Sequence, residues 1–404
     1  MKNTYIRSAI LLTITSFSLL SAQSMLAYKY PTGIPLTSSA GPSLSLGRTG
    51  VAIQNDFLGM SKNPANLGTV QRSVFSSVLS YDLVNLRSNG ERSTQSFFNP
   101  QLLSFAFPLK ASFGAIGLSL EQRSNMALSF NTKNTVSYNG VNYTEMLGIK
   151  RSGGISCWQI GYGYTIKKLA RIGLTYERVY LRNRTTNYKK VTGLLESMQN
   201  DSFELETQAN GIRGGIIVPY KKFTGGISGE YFFGNTAKIE RSINTTSTSF
   251  TPSEADYKLA PSLSFGASYQ FTPEWLAAAD LGVTLWDRYY SGFETNDQLD
   301  NTINISGGAQ FIPAPTLLAP KYYEIIQYRA GVRYAQMPVS TAAEWAVDLG
   351  FGLPLQQNGS MIDLNIEYGR RTDSNYEKFT EEFISLQIGI NGGRKWYQTS
   401  GTSY

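Results

Sequence analysis

Carboxylates and guanidinium groups recur among the alternate positions of long alternating runs, on the side away from the aliphatic and aromatic residues. Asp363 and Glu367 share a face with Asn365, opposite Ile362, Leu364, Ile366 and Tyr368. Asp348 stands with Gly350 and Gly352, opposite Trp345, Val347, Leu349, Phe351 and Leu353. The same alternation puts Glu121, Glu177, Glu230, Asp280, Arg213, Arg329 and Arg333 on the polar side. The chemistry open to this mixed-sign set is ion pairing, because an unpaired buried charge is costly. Catalysis is not expected. The chain contains no histidine, which removes the commonest general base, the commonest metal ligand and the Ser-His and Cys-His nucleophile systems. Membrane hydrolases that depend on histidine go with them. The single cysteine, Cys157, permits neither an internal disulfide nor a cysteine zinc site, and reads as inert and inward-facing. No phosphate-binding loop or GxGxxG motif occurs, so no metal and no cofactor is expected. Glu294, Asp297 and Asp300 could bind calcium but lack EF-hand spacing, and a solvated loop is the simpler reading. Arg182, Arg184, Lys189 and Lys190 cluster in another loop, where lipopolysaccharide phosphates or plain solvent would both suit them.

The elements that carry these charges must be strands. About fourteen alternating runs lie between Ser73 and Ile390, an even number as a bacterial barrel requires. They reach about ten residues, the length of a tilted strand crossing a bilayer, with aromatics near their ends. Every other connection is short, such as Ala111-Ser112, Lys167–Ala170, Lys221-Lys222 and Thr272–Glu274. A longer member of this set, Pro313–Lys321, holds three prolines. The intervening connections are mostly long: Asn85–Gln101, Ser124–Gly154, Asn183–Glu206, Asn235–Tyr257 and Asp287–Asn301. Short periplasmic turns and long outer loops are the asymmetry of an outer-membrane barrel. The expected fold is all-β: an antiparallel transmembrane β-barrel of about 14 strands, apolar face to lipid and charged face inward.

Composition agrees. Of 404 residues only 16% are charged, with 38 Gly, 25 Tyr and 21 Phe, which suits strands and turns better than helices. The formal net charge is +7 with the basic residues scattered, which does not suggest nucleic acid. Residues 1–24 read as a signal peptide. Lys2 and Arg7 are the positive region, Ala9 to Leu20 the apolar core, and Ala22-Gln23-Ser24 the cleavage site. Residues 25–72 would then form a segment inside the barrel, 73–392 the barrel and 393–404 a tail, in a protein exported to the outer membrane.

Within the segment before the barrel, Ser43–Gly68 is conspicuous. Small residues (Gly47, Gly50, Ala52, Gly59, Ala65) alternate with isolated apolar ones, and the stretch ends in Asn63-Pro64-Ala65-Asn66. Pro64 lacks a backbone donor and biases Asn63 away from helix, so the chain turns there. A lumen of about fourteen strands lies between packed eight-stranded barrels and open porins, and needs a filling. This stretch suits a plug, and a surface loop is the alternative.

The residues resemble a known family. Gly47-Arg48-Thr49-Gly50-Val51-Ala52, Asp56 and Asn63-Pro64-Ala65-Asn66-Leu67 look like the N-terminal hatch of the FadL/toluene-transporter outer-membrane family. Ile362–Arg370, Glu381–Ile384 and Lys395-Trp396-Tyr397 resemble its closing strands, especially in FadL-like and PorV-like branches. The resemblance implies a fourteen-stranded barrel plugged by its hatch, with Gly47, Gly50, Asp56, Asn63, Pro64 and Ala65 as hatch positions. It implies passive uptake of hydrophobic compounds such as long-chain fatty acids or hydrocarbons, with outer-membrane lipid and lipopolysaccharide as surroundings. It also implies a sideways exit where the third strand kinks; Gly114 and Gly117 would permit such a kink. Two other roles stay open: a docking or scaffold component of an outer-membrane secretion or surface-attachment machine, and a general porin.

Overall fold

The computed structural model describes residues 32–36, 39–88, 91–109, 113–138, 140–167, 169–192, 197–243, 251–292, 299–338, 341–355, 359–373 and 380–394. Alternation of side chains across long runs dictates a sheet, and the sheet closes on itself. Fourteen antiparallel wall strands follow one another around the barrel. They are β1 (Ser73–Ser88), β2 (Glu91–Pro108), β3 (Ala115–Gln122, resuming as Leu128–Tyr138) and β4 (Val141–Ile166). Next come β5 (Ala170–Thr192), β6 (Ser197–Tyr220), β7 (Phe223–Phe232 and Asn235–Ile243) and β8 (Ser253–Lys258 and Ser262–Gln270). The last six are β9 (Trp275–Thr284), β10 (Thr302–Phe311), β11 (Gln327–Gln336), β12 (Ala342–Pro354), β13 (Met361–Asp373) and β14 (Thr380–Arg394). Closure is made by β1 against β14, from Ser73↔Arg394 to Arg87↔Thr380.

The outward face is apolar and exposed, as lipid requires: Leu120, Ile160, Ile216, Phe265, Val332, Leu349 and Ile366 all point away from the lumen. At the short-turn end, the periplasmic one, aromatic rings run along the outer rim. Trp275 meets Phe311 at 4.6 Å, Phe311 meets Tyr328 at 6.5 Å and Tyr328 meets Phe351 at 5.7 Å between centroids. No helix among the described residues is long and apolar enough to cross a membrane.

Three sequence expectations need correcting. Most of the long outer loops are not loops: β4, β5 and β6 run for 26, 23 and 24 residues. About ten residues suffice to cross the bilayer, so their outer halves form a paired sheet in water. Both faces there are wet, so no alternation marks them. Second, the connection expected to end at Lys321 runs on to Ile326, and the next strand begins at Gln327. Tyr322–Ile325 is one helical turn, because the Glu324 carboxylate accepts the Lys321 N–H at 2.7 Å and turns the chain. Third, the last strand runs to Arg394, two residues into the segment expected as a tail. Residues 1–31 and 395–404, and with them the signal-peptide reading and the Lys395-Trp396-Tyr397 motif, lie outside the described residues, as do Glu294 and Asp297.

Candidate functional site: a seated plug and a break in the wall

Ser43–Gly68 does not cross the lumen as a cork would. It runs around the inner wall, touching the strands nearly in reverse order. Leu44 lies against β14, Ser45 against β12, Leu46 and Gly47 against β10 and β11, and Val51 and Ala52 against β7 and β8. Asn63 then lies against β6, Pro64 and Ala65 against β5, and Leu67 and Gly68 against β3 and β4. Between these arcs Phe57–Gly59 bulges to β1 and β2, where Ser76 donates to the Phe57 carbonyl at 3.1 Å. The close approach depends on inward-facing glycines at one level of the wall. A Cβ on Gly331 would stand 1.9 Å from the Gly47 nitrogen, and one on Gly173 2.2 Å from the Pro64 carbonyl carbon. The sequence carried this signal, a glycine in mid-strand on the inward face of most runs, but composition alone gives it no meaning.

Polar side chains fix the register. Asp280 accepts the N–H groups of Gly50 and Val51 at 2.7 and 3.1 Å. The Asn63 amide donates to Val51, Ile216 and Ile227 carbonyls at 2.8, 3.2 and 3.3 Å, while its oxygen accepts the Ala65 N–H at 3.0 Å. Asn63 thereby ties both arcs of the segment to the wall. Asn63→Ala leaves buried acceptors unmatched at about 1–3 kcal/mol. Limited proteolysis of the detergent-solubilised barrel should cut near Lys62 in this variant and leave the parent intact; equal resistance would contradict the tie. Asp56 faces Arg72 at 3.3 Å, with the Arg72 guanidinium 5.2 Å from the Phe57 ring centre.

The inward-facing charges meet in two clusters and one separate pair, with Asp280 and Asp348 held by neutral partners. Glu121, Glu177, Arg213 and Glu230 gather around Arg123, the residue just before the expected Ser124–Gly154 connection. Arg123 lies 3.7 Å from Glu121, 3.0 Å from Glu177 and against Glu230. Arg213 lies 3.2 Å from Glu177, 2.9 Å from Glu230, and donates to the Ser61 carbonyl of the plug. The second group centres on Glu367, which takes Arg48 of the plug at 2.7 Å and Arg333 at 2.8 Å. Arg333 continues to Glu344 at 2.7 Å, and Arg371 joins Glu344 to Glu381. Arg48 is left-handed, φ 68°, so its backbone is bent to bring that guanidinium to the wall. Arg329 and Asp363 form a separate buried pair at 2.5 Å. Asp348 accepts from Asn365 at 3.0 Å rather than from a cation. In the outer sheet Arg182 pairs with Glu204 and Glu206, Arg184 with Glu204, and Lys189 with Glu145. Those bases are therefore engaged by acids of their own sheet.

The wall is broken beside Arg123. β3 pairs with β2 only from Leu102↔Glu121 to Pro108↔Ala115, and its outer piece pairs with β4 alone. Between Glu91–Gln101 and Leu128–Tyr138 no ladder forms among the described residues; a 3.5 Å bond from Gln95 to the Ser129 carbonyl spans them. At the break Ser124 and Asn125 turn inward and pair with Ile34 and Pro35 instead. Gly114 and Gly117 are not the cause. Gly114 sits in the periplasmic turn and Gly117 in the regular ladder, where it admits Leu67. The permissive glycines are on β4: Gly153 and Gly154 have φ of 121° and 140°, and the Gly153 carbonyl accepts the Met126 N–H at 3.0 Å. Only Gly tolerates such backbone readily.

Two cavities border the break. One, about 350 Å³, lies inside, over the plug. Val179, Phe232, Leu259 and Trp286 line one side of it, and Arg48, Arg123, Glu230 and Arg333 the other. The second, about 930 Å³, lies at the break in the wall, lined by Pro100, Leu102, Leu103, Leu120, Trp158, Tyr180 and Leu181, with Glu121, Arg182 and Glu206 also on its border. Ile155 borders both. Cys157 is buried among Met126, Val179 and Leu181 on the inner side.

The chain is thus a closed fourteen-stranded β-barrel with its N-terminal segment seated inside and a break in its third strand, the fold also seen in FadL-type barrels. The solved structures agree on that fold. A Pseudomonas aeruginosa FadL homologue superimposes with TM-score 0.62 at 11% identity, covering 89% of this chain and 99% of its own. The Pseudomonas putida toluene transporter TodX gives 0.55 at 15%, covering 88% and 98%. The Ralstonia pickettii toluene transporter TbuX gives 0.54 at 16%, covering 90% and 98%. Within this class, the family model for BamG matches residues 2–225 and 227–401, and the chain belongs to the BamG family. No curated protein matches it.

Proposed function

We propose that the protein passes hydrophobic or amphiphilic small molecules, of the long-chain fatty acid or hydrocarbon type, into the outer membrane through the side of its wall. One observation carries the reading: the inner cavity and the cavity at the break lie on either side of Ile155, so displacement of that one side chain would join them without the plug leaving. The two-sided inner cavity suits an apolar body with a polar end, as binding sites of this volume commonly do. Two of the solved neighbours are toluene transporters, which supports the hydrocarbon class. The hatch positions Gly47, Gly50, Asp56, Asn63, Pro64 and Ala65 would form the floor, and the charges around Arg123 and Glu367 would keep it in place.

Bridging the break tests this. Gln95→Cys and Ser129→Cys in a Cys157→Ala background, joined by a short bis-maleimide, should abolish uptake of radiolabelled oleate and toluene by whole cells. The unbridged variant should transport normally. Undiminished uptake with the bridge complete would exclude passage through the wall.

A second reading, a docking or scaffold component of an outer-membrane machine, is favoured by the water-exposed sheet built from the outer halves of β4, β5 and β6. Mass spectrometry of the barrel purified from its own membrane separates the two. Bound lipid without protein supports transport; a stoichiometric protein without lipid supports docking.

A further inference from the structure

The turn between β10 and β11 is unlike the other short connections. It runs from Ile312 to Ile326 and places Leu317, Leu318, Tyr322 and Tyr323 in the open, with Leu318 fully exposed. A loop in water gains nothing by showing four such side chains together. Its backbone is nevertheless well fixed. Pro313, Pro315 and Pro320 restrict it, the Ala314 N–H donates to the Glu324 carbonyl at 2.9 Å, and the Ile312 N–H donates to Glu274 of the adjoining turn at 3.0 Å.

Its position names the occupant. Tyr328 points outward, since Arg329 beside it pairs inward with Asp363. Its ring continues the outer aromatic row of Trp275, Phe311 and Phe351. Its hydroxyl donates to the Tyr323 carbonyl at 3.2 Å, so the turn is fastened to the lipid-facing rim and not beneath the lumen. Lys321 stands 5.9 Å from the Tyr323 ring centre, a cation beside tyrosines as at membrane–water boundaries.

We infer that residues 312–326 form a foot that sinks Leu317, Leu318, Tyr322 and Tyr323 into the periplasmic leaflet of the outer membrane, with Lys321 at the phospholipid phosphates. The foot fixes the height and tilt of this side of the barrel.

Nitroxide labels at Leu318→Cys and Tyr322→Cys, in the Cys157→Ala background, test it in nanodiscs of phosphatidylethanolamine and phosphatidylglycerol. Collisions with oxygen should exceed those with a water-soluble nickel complex at both sites, and the reverse should hold at Asn134→Cys in the outer sheet. Folding of each variant is checked by heat-modifiable gel mobility. Because one label could distort the turn, Leu317→Ser/Leu318→Ser is the second probe: it should stay folded and raise nickel accessibility at Tyr322→Cys. Nickel-dominated collisions at Leu318 in lipid would overturn the inference. So would protection that appears only in native membranes, since a protein would then cover the foot.

Discussion

Replacing Gly331 by valine should unseat the plug and turn a closed barrel into a conducting one. The added Cβ would stand 1.9 Å from the Gly47 nitrogen and 2.3 Å from the Leu46 carbonyl carbon. Neither is a flexible side-chain end that could swing aside. Overpacking a well-filled interior costs about 1–3 kcal/mol, and here the cost falls on backbone from both sides. The barrel ladder around Gly331 is continuous on both neighbours, so the plug is the part that yields. Planar-bilayer recordings should show steady conductance absent from the parent, and cells should become sensitive to large hydrophilic antibiotics. Gly214→Val is the control, because it faces outward with open space around it. A silent Gly331→Val barrel would mean that the wall is more plastic than the plug.

The second large effect belongs to Glu367. Its carboxylate holds Arg48 of the plug through two bonds, at 3.2 and 2.7 Å, and Arg333 of the wall at 2.8 Å. Removing one partner of a buried pair costs about 3–5 kcal/mol, because the remaining charge is stranded. Glu367→Ala takes the carboxylate away from Arg48 of the plug and weakens the hold on Arg333. The folded band on a semi-native gel should therefore melt at clearly lower temperature. Arg48→Met in addition should restore part of the loss, since the plug cation is then gone too. A single variant as stable as the parent, or a double variant no better than the single, would show that the bridge does not seat the plug. The two predictions separate steric from ionic seating: Gly331→Val should leak while the wall stays folded, whereas Glu367→Ala weakens both.

Much of the wall was legible because lipid on one side and a polar lumen on the other impose a period of two on every crossing. Asp348, Asp363 and Glu367 alternate with aliphatic residues on that ground, and all three are buried. The outer halves of β4, β5 and β6 were not legible: with water on both faces, neither face of Arg182–Thr192 or Val141–Arg151 needs to be apolar. The third-strand break was sought at Gly114 and Gly117, within the strand itself. It lies at Arg123–Ala127 and rests on Gly153 and Gly154 of the neighbour, a relation across the sheet that linear order does not express.

Residue order by itself determined which side chains face lipid, how many strands cross, and that the small-residue stretch before them is set apart. Only the tertiary structure decided how that stretch lies and which charges meet. Arg48 and Glu367 are 319 residues apart, and Gly47 and Gly331 nearly as far; closure of the sheet brings them together. Periodicity reports the environment of one strand at a time, while pairing between inner walls depends on circumference and register, which exist only once the last strand has met the first.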